Sequence, residues 1–389
     1  MTASATSTNP SPGTRKAVHV SVVHPSTDIR IFHKQCRSLA AAGYDVTLFA
    51  RAEGPYEEDG VRVVPVPRPR SRAARMTVGV WSLLRPLLAE RADIYHLHDP
   101  ELIPLGIALR ARGHHVVFDA HEPLPSQVMG KHYIPRPLRP AVAWGTRLLG
   151  RIAGRVLSAV VAASPLVADV YAHARRMVIV NNFPILDDSG VDIPYDERPR
   201  GLVYVGAITE LRGLPSMLEA AKAAYAAHGE KLTLIGPFQP PELQERLSDP
   251  DVAAAVDYVG VQRPADARRL VAEAKVGLMV QVGPKAYENN LPTKIFEYMA
   301  EGVPVVASHF PLWRQIVEDV GAGVVVPPED AQAVAEAVCS LLADPERARA
   351  MGERGRKAVH EKYSWEAEAR TLLSLYESLL AGESPTHAP

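Results

Sequence analysis

The densest chemistry in the chain lies in NNLPTKIFEYMAEGVPVVAS, residues 289–308. Pro292 just inside and Gly302 just past an apolar-periodic run predict a helix that extends through Glu301. Its first turn, Leu291, Pro292, Thr293 and Lys294, leaves backbone N–H groups without intrahelical partners and sets the positive end of the helix dipole behind them. That is a seat for a diphosphate. Glu297 follows Thr293 by four residues and so lies one turn deeper on the same face. Its carboxylate can accept two hydroxyl hydrogen bonds from a ribose whose phosphates sit at the helix start. The competing reading is a surface glutamate paired with Lys294.

A second candidate is YVGAITELRGL, residues 204–214, where a strand runs into Gly206, a loop, and Arg212 at the start of a helix. A guanidinium grips phosphate with two N–H groups at once. A lone arginine beside a glycine is ordinarily a solvated loop charge, but ligands of open α/β sheets gather at the carboxyl ends of strands.

In the first half, VVFDAHEP (116–123) ends an apolar strand in Asp119, His121 and Glu122, which suits either a site or a structural hydrogen bond. IYHLHDPELIPLG (94–106) gathers His96, His98, Asp99 and Glu101, a mixture that could bind metal. His96 and His98, two apart on a strand, share a face; Asp99, Pro100 and Glu101 read more simply as the opening of a helix through Leu109, and no metal is expected. VHPSTDIRIFHKQ (23–35) follows the first strand without glycines, which excludes a G-x-G-x-x-G dinucleotide site. Asp28, Arg30 and Lys34 there are acceptor-side candidates, set against helix capping by Ser26, Thr27 or Asp28 and solvated charge.

These residues need strand ends to hold them, and the pattern supplies them. Apolar runs AVHVSVV, DVTLFA, VRVVPV, DIYHLH and HVVFDA alternate with helical stretches, and GLVYVG, KLTLIG, VDYVG, KVGLMV, VPVVAS and AGVVV do so again. The expected fold is α/β, two Rossmann-like doubly wound domains facing a cleft. Residues 17–180 form an N-terminal acceptor domain, 181–200 a linker and 201–365 a C-terminal nucleotide-sugar domain. Residues 366–381 form a helix returning to the first domain, and 1–16 and 382–389 are expected to be disordered tails.

At 389 residues the chain exceeds one core, and with 47% hydrophobic residues, 22% charged residues and net charge -1 it reads as globular and not as a nucleic-acid binder. Two cysteines, Cys36 and Cys339, suggest neither a disulfide framework nor a zinc cluster, and a cytoplasmic setting is expected. No apolar run approaches the roughly 20 residues that span a bilayer. Basic and apolar residues interleave in 68–88 and 136–157. Arginines facing water from helices packed on a sheet is the preferred reading there, with peripheral contact to anionic lipid the alternative.

The segment 289–308 resembles the donor-site signature of the retaining glycosyltransferases of family 4, which have the GT-B fold. In that family a Glu, seven residues and a second Glu precede an AMA-x-G-x-PVVAS tail. Glu297 matches the second Glu, which the resemblance implies holds the nucleotide ribose, and Met299, Ala300, Gly302 and Pro304 to Ser308 match the tail. The first Glu falls on Asn289, with Glu288 one residue out of register and Asn290 beside it. YVGAITELRGL is similar to the family's VGR-x4-KGL, which aligns Arg212 with its phosphate-binding lysine. Ala207 replaces its arginine, leaving Arg212 to carry the diphosphate alone. VVFDAHEP resembles the strand end whose histidine reaches the donor sugar, a role carried to His121.

The resemblance implies transfer of a sugar from a nucleotide-diphosphate sugar to a hydroxyl acceptor with retention, the nucleotide sugar being a substrate and no cofactor being required. An epimerase of the same fold and a non-catalytic nucleotide-sugar-binding module are the alternatives; a dehydrogenase is disfavoured by the missing glycine fingerprint.

Overall fold

The computed structural model describes residues 14–123, 125, 128, 134–186, 193–283 and 291–382. Most of both expected tails, part of the expected linker, and Glu288, Asn289 and Asn290 lie outside the described residues. The chain divides into two compact units, after Asn182 and again after Glu366, so the last helix, Trp365–Leu380, is counted almost wholly with the first unit.

The first unit is built on an eight-stranded sheet of order β3-β4-β2-β1-β5-β6-β7-β8, in which only β3 runs antiparallel to its neighbour. Its strands are β1 Lys16–Pro25, β2 Asp45–Arg51, β3 Tyr56–Glu58, β4 Val61–Pro65, β5 Ile94–Leu97, β6 His115–Ala120, β7 Ala159–Ala162 and β8 Met177–Ile179. The second carries an all-parallel sheet of order β11-β10-β9-β12-β13-β14. These are β9 Arg200–Val205, β10 Leu232–Ile235, β11 Val256–Gly260, β12 Ala274–Met279, β13 Val305–Ser308 and β14 Gly323–Val326.

Near-continuous Val, Ile and Leu runs make these strands, because helices cover both faces of a parallel sheet and leave no polar side. In each sheet the order reverses beside the first strand, between β1 and β5 and between β9 and β12. Such a switch point opens a crevice at the strands' carboxyl ends. Both expected site segments fall there. Three strands, the short antiparallel β3 and the parallel β7 and β8, were not among the sequence-predicted runs. AVVA follows directly on the helix Arg139–Val156, and the short Met177–Ile179 run lacks alternation.

Candidate functional site

In the second unit β9 runs out into Gly206, whose N–H bonds Ile235 O. Gly206 sits at φ +135°, and a Cβ placed on it would stand 2.6 Å from Lys294 Cε, 3.1 Å from Lys294 Nζ and 3.1 Å from Arg212 Nη1. Only a glycine fits at that point. Thr209 caps the short helix Glu210–Arg212 by accepting from Arg212 N, and the Tyr204 hydroxyl, beside the Arg212 guanidinium, donates to Ala207 O at 2.9 Å. Arg212 is thereby aimed back over the end of β9.

Lys294 comes from the helix Thr293–Ala300. Burial pulls its ammonium below the ordinary lysine value; Glu297 opposes this and Arg212 adds to it. Two cations held side by side, one of them poorly solvated, make a place where an anion gains more than in water. Lys294 stands beside Arg212 at this point as a second cation.

The helix is fixed from below. The Tyr298 hydroxyl donates to Leu278 O at 3.2 Å and accepts from Val205 N at 3.3 Å, tying it to β12 and β9 on either side of the switch point. Gly277 lets the Tyr298 ring approach, since a Cβ there would meet it at 2.7 Å. The helix ends at Gly302, φ +64°, with Gly302 N–H to Met299 O and Val303 N–H to Tyr298 O, a Schellman closure. At its start Thr293 N–H is already bonded to Leu291 O and Ile295 N–H to Pro292 O, and Pro292 has no N–H. The expected array of free donors is thus narrower than the sequence suggested. Glu297 is exposed one turn further on.

In the first unit, β1, β5 and β6 bring five histidines together. His121, one-fifth exposed, has Nε2 3.3 Å from Asp119 Oδ2 and 3.3 Å from His98 Nδ1. Asp119 is fully buried and accepts from Arg30 Nε at 3.0 Å and Nη2 at 2.8 Å, and from Gln35 at 2.6 Å. Burial works against its ionisation, yet Arg30 with His121 and His98 holds it well below the carboxylate range. His96 and His98 do share a face, their rings stacked 4.8 Å apart at 8°. His96, His98 and Asp119 present ligand atoms within 4.8 Å of one another. The Arg30 guanidinium spans both Asp119 oxygens and supplies the positive charge a metal would bring.

Asp28 caps the helical stretch Ile29–Cys36 through Arg30 N and Ile31 N, both 2.9 Å, and bonds His24. Burial raises its pKa, but the His24 and backbone bonds outweigh it and bring it to about 2. Arg30 also donates to Val180 O, and Lys34 to Asn182 O and Oδ1. Both are 5% exposed, so a role toward an acceptor would act through the groups they hold. Asp99 does not cap the helix that follows it; its Oδ2 accepts from Ser21 Oγ, Val22 N and Val23 N. His24, which sequence reasoning passed over, lies between Asp28 and Asp99, its ring 5.1 Å from His121. The Asp28 bond, with the nearby carboxylates, raises its pKa against burial.

The helix Arg139–Val156 turns Gly150, Ala153 and Gly154 inward. Leu138, Val142, Trp144, Leu148, Ile152 and Val156 stay exposed, Trp144 by 67%. Arg147, Arg151 and Arg155 are exposed beside them. Among the described residues no helix is long and apolar enough to cross a membrane.

Comparison with known proteins bears on both units. Residues 29–182 match the description "Glycosyl transferase 4-like domain" and residues 199–344 match "Glycosyl transferases group 1". The phosphatidyl-myo-inositol mannosyltransferase of Mycolicibacterium smegmatis is 25% identical over 354 residues, 88% of this chain and 87% of that one. Sucrose-phosphate synthase from Thermosynechococcus elongatus superposes with a TM-score of 0.74 at 20% identity, over 95% of this chain and 100% of that one. HepE of Anabaena, solved with UDP and glucose, gives 0.70 at 14% identity over 94% and 100%.

Proposed function

Since the chain belongs to the group 1 glycosyltransferases of family 4 and transfers glycosyl groups on a GT-B fold, we propose that its donor is a nucleoside-diphosphate sugar and that transfer proceeds with retention. The observation that carries the donor reading is the meeting of Arg212 and Lys294 over Gly206 at the switch point of the second sheet. Arg212 and Lys294 take the diphosphate at the start of the helix that carries Lys294, and Glu297 takes the ribose. The solved relative holding UDP and glucose is in keeping with that reading.

On this reading the acceptor hydroxyl oxygen bonds to the anomeric carbon as the bond from that carbon to the diphosphate oxygen breaks. The hydroxyl proton passes to the departing diphosphate on the same face. Arg212 and Lys294 stabilise the charge that grows there, an interaction stronger in the transition state than in the ground state, and need neither metal nor cofactor. His121 accepts a hydrogen bond from the donor sugar.

A cytoplasmic setting with peripheral contact to anionic lipid belongs to the same proposal. Its support is the exposed apolar face of Arg139–Val156, flanked by arginines in a stretch, 136–157, with no Asp or Glu.

The test is a panel of nucleotide sugars incubated with the protein and candidate hydroxyl acceptors, read by mass spectrometry and by proton NMR at the anomeric centre. Release of nucleoside diphosphate with an anomeric configuration matching the donor is expected. Sugar interconversion without release would support an epimerase, binding without turnover a binding module, and inverted product would remove the retention claim.

A further inference from the structure

Beneath His121 a continuous line of hydrogen bonds crosses the first unit. His96 Nδ1 lies 2.8 Å from the Tyr376 hydroxyl, which lies 3.1 Å from His19 Nε2. His19 Nδ1 lies 2.9 Å from His98 Nε2, and His98 Nδ1 lies 3.2 Å from Asp119 Oδ2 and 3.3 Å from His121 Nε2, itself 3.3 Å from the same Oδ2. Every inner member is buried: His19, His96 and Tyr376 have no exposure and His98 2%. Tyr376 belongs to the helix Trp365–Leu380, more than 250 residues along the chain from His121.

The chemistry of each group gives the line a single direction. Asp119, ionised beside Arg30, accepts only, so His98 Nδ1 carries a hydrogen toward it. A second buried cation beside Arg30 is costly, so His98 is neutral and its Nε2 is a bare acceptor. His19 Nδ1–H must then donate to it, which leaves His19 Nε2 to accept the Tyr376 O–H. The Tyr376 oxygen in turn accepts from His96 Nδ1–H. The last atom, His96 Nε2, is left as a bare lone pair, and it is a buried ring nitrogen with no hydrogen-bond partner among the described residues.

We propose that Tyr376 and His19 are positioning residues: with His96 and His98 they form a one-way hydrogen-bond relay that fixes His98 Nδ1–H and His121 Nε2–H on Asp119, so that His121 presents Nδ1 as a bare acceptor to a sugar hydroxyl. The part concerning the sugar rests on the His121 role proposed above; the tautomers do not. Such chains polarise one another, and a wrong tautomer at the exposed end would offer a donor where an acceptor is needed.

The experiment uses the full chain labelled with 15N-histidine. Long-range proton–nitrogen NMR at pH 7 is expected to show His19, His96 and His98 as Nδ1–H tautomers; an Nε2–H tautomer at His19 or His98 overturns the relay. Tyr376→Phe, which keeps the ring against Tyr44, is expected to shift the His19 and His98 nitrogen resonances. It should also lower kcat for release of UDP from UDP-glucose, or GDP from GDP-mannose, about three- to tenfold with little change in KM, the value of one neutral hydrogen bond. Tyr44→Phe, which removes a hydroxyl with no partner among the described residues, should change neither. If Tyr376→Phe fails to fold, the wild-type tautomers still decide. Wild-type tautomers as stated with unaltered nitrogen shifts and kcat in folded Tyr376→Phe would also sink the proposal. Correct tautomers and Tyr376→Phe nitrogen shifts with no effect of His121→Ala on turnover would instead remove the sugar role and leave the relay.

Discussion

Arg212 Nη1 and Lys294 Nζ stand at the same distance, 3.1 Å, from the one point that a side chain on Gly206 would occupy. Residue 206 is therefore the floor of the cation pair. Gly206→Ala should displace Lys294 and strain a backbone at φ +135°, weakening UDP or GDP affinity by about tenfold or more. Titration calorimetry checks it, and unchanged affinity in a folded variant would show that the pair does not meet the diphosphate.

Arg212→Ala should reduce turnover more than it reduces binding, because its partner charge grows as the bond breaks. Lys294→Ala should behave alike, and the two losses should not add, since the side chains share one anion. Steady-state kinetics of the two single variants and the double variant measure the coupling; strict additivity would separate them.

Glu297→Gln should weaken binding of the nucleoside diphosphate by about 1.5–3 kcal/mol, the worth of a hydrogen bond to a charged group, with the melting temperature unchanged because the side chain is exposed. For His121→Ala the reverse pattern is expected: a large loss of transfer with near-normal affinity for the free nucleotide. Equal loss of both would assign His121 a structural task.

Acid should loosen the first unit earlier than ordinary carboxylate titration does. Burial holds His98 down to about 3 and lowers His19 and His96 well below 6.5. Below 6.5 the unfolded chain binds protons that the folded chain refuses. Stability is then lost as pH falls, by up to about 1.4 kcal/mol per pH unit for each histidine. His24 runs the other way: its contribution is present below 6.5 and lost as pH rises through its raised folded value. Melting temperatures that stay level from pH 7 to pH 5 would contradict the net expectation.

Vesicles of anionic lipid should bind the protein, shift Trp144 fluorescence to the blue, and release it as salt rises. Gln at Arg147, Arg151 and Arg155 should weaken that binding several-fold. Absence of binding by the unaltered protein would end the lipid reading.

The longer parallel strands were legible because their runs are apolar on both faces, and the helix under Glu297 because Pro292 and Gly302 bracket it. The reach of Lys294 to Gly206 was not, since it joins positions 88 residues apart across the switch point. Arg30 and Lys34 read by spacing as acceptor-side candidates, set against solvated charge; only the fold reveals Asp119 and Asn182 waiting for them. The histidines at β1, β5 and β6 were visible singly, while Tyr376, which joins His19 to His96, lies 357 residues from His19.

The return of Trp365–Leu380 to the first unit has a consequence for biosynthesis. A nascent chain emerging from the ribosome delivers β1 to β8 early, yet the buried imidazoles of His19 and His96 wait for the Tyr376 hydroxyl until all of the second unit has been made. The second unit, contiguous from Phe183 to Glu366, has every strand it needs before then. Domains made as continuous segments fold as units during synthesis. Release of residue 376 is thus the step at which the first unit, begun first, is finished last.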